Sequence, residues 1–389
     1  MTFDDLKLSS ASLRAVRELG HTKPTPVQAA AIPPALAGRD ILASAATGSG
    51  KTAAFMLPLL EALAAGKSGS ARALIVAPTR ELAAQIAAHG TALGKYSNIR
   101  ITAIFGGVGF GPQASALKRG TDVIVATPGR LLDHLTQGTL NLSGIEHLVL
   151  DEADRMLDMG FLPDVRRILK RLPRVRRTML FSATMPPPIV ILAKELLKDP
   201  VRIDLTVHGQ PAAGVTQTVY TIDQNRKGDL LLELLKGNEI FSALAFTRTK
   251  ARANRLATLL ARHDIPVERI HGNRSQAQRT HALAQFKRGK CRVLVATDIA
   301  ARGIDILQLG HVVNFDVPLV PEDYIHRVGR TARAQAVGDA ITFVSKDEEG
   351  SFAQIEHRLG RRIDRAKTPE LPPAAPTPPA RTRTARSWR

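Results

Sequence analysis

The chain is punctuated by short, continuous apolar runs, each followed by a polar loop and then a stretch with helical spacing. In the first half the runs are Ile41-Leu42-Ala43, Ala73-Leu74-Ile75-Val76, Val123-Ile124-Val125, Leu148-Val149-Leu150 and Met179-Leu180-Phe181. In the second half they are Ala243-Leu244-Ala245-Phe246, Val293-Leu294-Val295, Val312-Val313-Asn314-Phe315 and Ile341-Thr342-Phe343. Runs that do not alternate predict strands covered on both faces, and their alternation with helices predicts parallel sheets. Residues 206–214, TVHGQPAAG, are polar with Gly and Pro and predict a linker. The result is an α/β protein of two similar domains, residues 1–205 and 215–362. Beyond them the apolar period stops. The end, LPPAAPTPPARTRTARSWR from Leu371, is rich in proline and carries only basic charge, so 363–389 is expected to be a disordered basic tail. Such a tail is as well suited to solubility as to auxiliary phosphate contact.

Composition sharpens the picture at three points. A length of 389 residues exceeds one ordinary core. The 54 Lys and Arg against 35 Asp and Glu give a net charge of +19, which points to a polyanionic partner. No apolar run approaches a membrane span and the start, MTFDDLKLSS, is not signal-like, so a soluble, cytoplasmic protein with nucleic acid as partner is expected. The single cysteine, Cys291, excludes an internal disulfide and a cysteine-cluster metal site, and its place before a strand predicts no chemistry.

In open parallel sheets, ligands bind beyond the carboxyl ends of the strands. After the first run stands Ala45-Ala46-Thr47-Gly48-Ser49-Gly50-Lys51-Thr52, a P-loop pattern with Ala45 in place of its first glycine. Gly48 and Gly50 allow backbone N–H groups to wrap a phosphate at a helix N-terminus. Lys51 would reach the β/γ-phosphates and Thr52 would ligate Mg²⁺. After Leu148-Val149-Leu150 come Asp151, Glu152 and Asp154. Crowded carboxylates need a compensating cation. Asp151 would help hold Mg²⁺, Glu152 would polarise the attacking water, and Asp154 suits a hydrogen-bond relay. A solvent-exposed acidic helix start is the competing reading for Asp154 and Arg155.

Asp-Glu-Ala-Asp in this setting resembles the DEAD-box ATP-dependent RNA helicases. Other family motifs follow in order: Pro24-Thr25-Pro26-Val27-Gln28, Pro78-Thr79-Arg80-Glu81-Leu82, Gly106-Gly107, Thr127-Pro128-Gly129-Arg130, Ser182-Ala183-Thr184, His271-Gly272 with Gln276 and Arg279, ATDIAARGID from Ala296 to Asp305, and YIHRVGRTAR from Tyr324 to Arg333. The likeness runs from about Phe3 to Ser345, and the start MTFDDL and compact length resemble the bacterial RhlE-type subgroup. It implies two tandem RecA-like domains, with ATP and Mg²⁺ in the cleft. Gln28 would read the adenine edge and Phe3 would stack on the base. Ala46, Thr47, Gly48, Ser49, Gly50, Lys51 and Thr52 would hold the phosphates, with Gly303 and Asp305 approaching from the second domain. Arg330 and Arg333 would be arginine fingers; by spacing alone Arg327, Arg330 and Arg333 share one face if the segment is helical. Ser182, Thr184 and His326 would couple the nucleotide site to closure through Asp154.

RNA would be held by Thr79, Arg80, Gly107, Thr127, Gly129 and Arg130 in the first domain and by Thr247, Gly272, Arg279 and Thr297 in the second. No aromatic is expected among these, which favours backbone gripping over base stacking. Ribosome-assembly or RNA-decay proteins are the protein partners the resemblance allows. His21, Ala46 and Ala332 depart from the family pattern. A DNA-directed translocase and an RNA clamp with little turnover are the rival readings.

Overall fold

The computed structural model describes residues 1–46, 48–66, 69–205, 215–237, 240–301, 309–331 and 338–373. Two seven-stranded sheets are formed, every pair of neighbours parallel. The strands are β1 (Ile41–Ser44), β2 (Ala73–Val76), β3 (Ile101–Ile104), β4 (Val123–Ala126), β5 (His147–Leu150), β6 (Arg177–Ser182) and β7 (Val201–Asp204) in the first. They are β8 (Val215–Thr221), β9 (Ala243–Phe246), β10 (Val267–Ile270), β11 (Val293–Ala296), β12 (His311–Asn314), β13 (Gly338–Val344) and β14 (Arg365–Ala366) in the second. The orders are β3-β4-β2-β5-β6-β1-β7 and β10-β11-β9-β12-β13-β8-β14. Each strand of the second sheet is the seventh after its counterpart in the first, so one topology is used twice.

All nine apolar runs lie in or at these strands. Strands β2, β4, β9 and β11 are buried at every residue, as strands covered by helices on both faces must be. The strands that the pattern does not reveal are β3, β7, β8, β10 and β14. Four of these are sheet edges and the fifth, β8, is next to one. Their sequences, such as Val201-Arg-Ile-Asp204 and Val267-Glu-Arg-Ile270, carry polar side chains because one face or edge meets water.

The expected start of the tail is corrected. Ile363 is buried, β14 pairs with β8, and Val219 N donates to Asp364 O at 3.1 Å. Arg365 pairs with Glu349 at 2.8 Å, and Leu371 packs on the second core. A disordered segment from 363 is therefore wrong for 363–373; residues 374–389 and the linker 206–214 lie outside the described residues.

Candidate nucleotide site and interdomain cleft

The P-loop joins β1 to the helix Lys51–Ala64. Gly48 and Gly50 have φ of +83° and +94°, a conformation that suits glycine. A Cβ on Gly50 would lie 2.6 Å from Gln28 Nε2 and 2.9 Å from Thr25 Oγ1. That contact reveals a task for Gln28. Its Nε2 donates to Gly50 O at 3.1 Å, and its Oε1 accepts from Thr25 N at 2.9 Å, so the amide ties the loop to the helix Pro26–Leu36. Phe3 is 5% exposed in the first core with its ring beside His21, centroids 6.5 Å apart. Ala46 and Gly48 are exposed, while Thr47 lies outside the described residues. The Ser49 hydroxyl is buried with no hydrogen-bond partner among the described residues. Lys51 is buried, and Nζ donates to Ala45 O at 2.8 Å, a carbonyl of its own loop.

Asp151 follows β5, and its N donates to Val76 O at 3.0 Å. Burial pushes its carboxyl up to about 7 despite the Lys51 charge, with the Glu152 carboxylate adding to the rise. Among the described residues no three His, Cys, Asp or Glu gather as a metal cage. One buried carboxylate that feels the Lys51 charge, at an anion-ready loop, fits Mg²⁺ completed by phosphate oxygens and water.

Glu152 has φ of +51°, a strained setting for a non-glycine residue. Burial opposes its ionisation, but the charges of Arg155, Lys51 and Arg330 outweigh it and hold the carboxyl low, at about 2. Arg155 pairs with it directly. The exposed acidic helix start is thereby overturned: Asp154 is 5% and Arg155 7% exposed. Asp154 Oδ2 accepts from Ala183 N (3.1 Å), Thr184 N (2.7 Å) and Thr184 Oγ1 (2.9 Å). Ser182 works in the other sense: its Oγ accepts from Asp154 N at 3.0 Å and donates to Thr184 O at 2.7 Å. The end of β6 is thus clamped to the acidic turn.

The second domain faces this site. Arg330 is buried and its charge acts on Glu152. His326 is close enough to feel both Asp154 and Arg155; burial lowers its pKa and the Asp154 carboxylate opposes that. Arg327 does not share a face with Arg330. It is 2% exposed and turned inward, bonded to Asp298 at 2.6 and 2.7 Å, Asn314 Oδ1 at 3.1 Å and Asp316 O at 2.7 Å. The helix Pro321–Val328 ends before Arg330, so the spacing that suggested one stripe does not apply. Arg333, Gly303, Asp305 and Ala332 lie outside the described residues.

Across the cleft, Gln276 Nε2 donates to Glu81 Oε1 at 2.9 Å and Arg279 pairs with Glu81 Oε2 at 3.0 Å. Neither Glu81 nor Gln276 is marked by the sequence as a cleft latch, although both stand inside the motifs. Arg279 is committed to this pair, and Thr247 is fully buried with its hydroxyl toward Thr249 O and Ala296 O. As placed, both line the cleft wall, and the Arg279 Nε–H is buried with no hydrogen-bond partner among the described residues. Thr79 and Thr127 start the helices Arg80–Leu93 and Pro128–Thr136. Gly107 has φ of +79°, and a Cβ there would strike the Arg80 guanidinium. Gly129 and Gly272 are exposed, and Thr297 is 8% exposed. Arg130 donates to Val108 O at 3.2 Å. Its guanidinium stands 5.8 Å from the Phe110 ring, which stacks on His134 at 4.1 Å. An aromatic therefore does stand among the first-domain set, contrary to the expectation of none.

Residues 25–191 match the DEAD/DEAH box helicase family model, and 226–335 match the helicase conserved C-terminal domain. The DEAD-box ATP-dependent RNA helicase CshA of Bacillus cereus is 43% identical over 370 residues, covering 95% of this chain and 70% of that protein. The relatives compared carry the CshA name, so the family is shown but the RhlE-type subgroup is not. S. cerevisiae Dbp5 bound to RNA and ADP BeF3 superposes with a TM-score of 0.84 at 31% identity, covering 94% of this chain and 96% of that one. A DEAD box protein from Methanococcus jannaschii gives 0.56 at 39% identity, covering 94% and 99%. The chain belongs to the DEAD-box family of ATP-dependent RNA helicases.

Proposed function

We propose that this helicase works by closure of its two domains on ATP and single-stranded RNA, and that hydrolysis reopens them. The single observation that carries this reading is the meeting of two half-sites. Lys51, Asp151 and Glu152 come from one domain, and Arg330 comes from the other with its charge on Glu152. Lys51 leaves Ala45 O for the phosphates, and the P-loop N–H groups from Gly48 to Lys51 receive the phosphate oxygens. Gln28 holds Gly50 in place while it reads adenine. Thr52 and Asp151 would hold Mg²⁺, which neutralises phosphate charge when bound. Glu152 orients the attacking water and accepts its proton, which requires its bond to Arg155 to loosen. Arg330, with Arg333, stabilises charge on the transferred phosphoryl group. Asp154, Ser182, Thr184 and His326 report the nucleotide state to the interface. Thr79, Arg80, Gly107, Thr127, Gly129 and Arg130, with Gly272 and Thr297, grip the sugar–phosphate chain without base readout. Closure bends one strand and separates a short duplex locally. Placement in the RhlE-type subgroup rests on the stretch Thr2-Phe3-Asp4-Asp5-Leu6.

The test is steady-state phosphate release with no nucleic acid, with single-stranded RNA and with single-stranded DNA. Stimulation by RNA alone, abolished in Glu152→Gln with RNA binding kept, is the expected result. RNA bound without stimulation would make the protein a clamp, and equal stimulation by DNA would make it a DNA-directed translocase.

A further inference from the structure

The first-domain grip draws on separate loops, and these must be held in register before RNA arrives. Arg80 supports one side of Gly106 and Gly107: a Cβ on Gly106 would lie 3.3 Å from its guanidinium, and one on Gly107 would collide with it. The other side rests on a residue that belongs to none of the motifs. Gln113 lies in the helix Phe110–Lys118 and is 8% exposed. Its amide is a junction. Nε2 donates to Phe105 O at 2.9 Å, just before the glycine pair. Oε1 accepts from Arg130 Nη1 at 3.3 Å, and Arg130 Nη1 and Nη2 both donate to Val108 O at 3.2 Å, just after the pair. One side chain thus ties both ends of the glycine loop to the Arg130 guanidinium.

His134 completes the junction. It is fully buried, one turn after Arg130 on the helix Pro128–Thr136. Its Nε2 lies 3.4 Å from Gln113 Oε1 and its Nδ1 2.8 Å from Thr139 Oγ1. Phe105 O can only accept, so it takes the amide nitrogen of Gln113 and leaves the amide oxygen facing the ring. Nε2 must then carry the ring proton, and Nδ1 accepts from the Thr139 hydroxyl. Burial and the Arg130 charge push the His134 pKa below its ordinary 6.5, with Asp133 opposing, so the ring is neutral at pH 7. Its face stacks on Phe110, centroids 4.1 Å apart, and joins the two helices. A buried polar pair whose atoms all have partners adds direction that an apolar pair of equal volume lacks. Arg130 needs that direction. Burial, then the charges of Arg279 and Arg130, act against the Arg80 charge, with Glu81 opposing. These guanidiniums repel one another, so an unanchored Arg130 turns away to solvent.

We infer that Gln113 and His134 are positioning residues for RNA binding, which set the loop 106–108 and the Arg130 guanidinium in their gripping arrangement before the sugar–phosphate chain arrives. Neither touches RNA. Their effect is preorganisation: a loop and an arginine already fixed lose no freedom on binding. This rests on the cleft reading above, and the experiment separates the two.

Gln113→Met keeps the length and bulk of the side chain and removes both polar ends. His134→Phe keeps the stack on Phe110 and removes both ring nitrogens. The Kd for a labelled single-stranded RNA is read by fluorescence anisotropy with an ATP analogue present, and phosphate release is followed against RNA and against ATP. In both variants the Kd and the KM for RNA are expected to rise by roughly tenfold, the scale of freeing one arginine and its loop. The kcat at saturating RNA, the KM for ATP and the rate without RNA are expected to hold, because bound RNA restores the same geometry. In an Arg130→Gln background, Gln113→Met is expected to cost less than it does in the parent, since part of its effect passes through Arg130. An unchanged Kd in both variants would overturn the inference, as would a full additive loss in the Arg130→Gln background. A rate without RNA that falls in step with affinity would make the pair part of the first core and overturn it too. A parent that binds RNA without stimulated release would strike the closure reading alone, and the Kd comparison would still decide the positioning role.

Discussion

At the scale of single residues, the nucleotide loop is held from outside as much as from within. Gln28 is buried and spends both ends of its amide on Thr25 N and Gly50 O. Gly50→Ala forces a left-handed alanine, at about 1–2 kcal/mol, and drives its Cβ onto Gln28 and Thr25. The KM for ATP is expected to rise by about tenfold or more, since about 1.4 kcal/mol is one decade. The melting temperature should move far less, because the loop is peripheral to the core. An unchanged KM in the variant would remove Gln28 and Gly50 from the nucleotide site. Gln28→Glu keeps the shape but turns a donor into a carboxylate facing Gly50 O, and it is expected to raise the same KM. Phosphate release against ATP concentration reads both.

At the scale of elements, the duplicated sheet puts a second lysine where the first domain has its P-loop lysine. Lys227 opens the helix Lys227–Lys236 after β8, as Lys51 opens its helix after β1. It is fully buried, donates to Phe315 O and Phe343 O at 3.0 Å each, and pairs with Glu348. Asp316, two residues past β12, takes Arg252 at 2.7 Å. The second domain thus holds its lysine with its own carboxylate and two backbone carbonyls. Lys227→Met leaves Glu348 buried and partly unpaired, and is expected to destabilise by about 3–5 kcal/mol, seen as a lower urea midpoint. The pH dependence has a definite sign. Burial acts to raise the Glu348 carboxyl, but Lys227 and Ser345 hold it below its ordinary 4.5. Its stabilisation is therefore full above about pH 4.5 and is lost as pH falls through the lower folded value. Without Lys227 burial raises that carboxyl, so the variant gains stability relative to the parent on acidification. The gap between the two urea midpoints should narrow below pH 4.5; a constant gap would show that Glu348 is not the partner that matters.

At the scale of the molecule, activity depends on how long the two domains stay together. The latch of Glu81 with Gln276 and Arg279 spans the two domains. Glu81→Ala leaves Arg279 without its carboxylate in a half-dry cleft. A coupling loss of about 1–3 kcal/mol would shift the closure equilibrium by about 5- to 150-fold. Energy transfer between dyes on the two domains, with ATP analogue and RNA present, should report fewer closed molecules. RNA-stimulated turnover should fall in proportion while the weak rate without RNA holds. If both rates fall together, Glu81 supports the first domain and is not a latch.

The chemistry was legible in the chain itself. Central strands buried on both faces must be apolar throughout, and a phosphate loop needs Gly48, Gly50 and Lys51 in one short stretch, so both leave local signals. The edge strands β3, β7, β10 and β14 left none, because a strand with one neighbour tolerates polar side chains. The partners of charges were equally hidden. Arg155 on Glu152, Arg327 on Asp298 and Arg279 on Glu81 are pairings set by which loops the sheets bring together. A charged residue looks the same in sequence whether it faces water or a buried carboxylate. The three-residue spacing of Arg327 and Arg330 makes one stripe only where the segment is helical, and the helix stops between them, with the first turned inward. Sequence determined which groups exist and on which loops, because bond geometry and backbone freedom are local. Which charge meets which, and that the two half-sites meet at all, only the tertiary structure decided, because Coulomb pairing and burial depend on distances that the chain order does not contain.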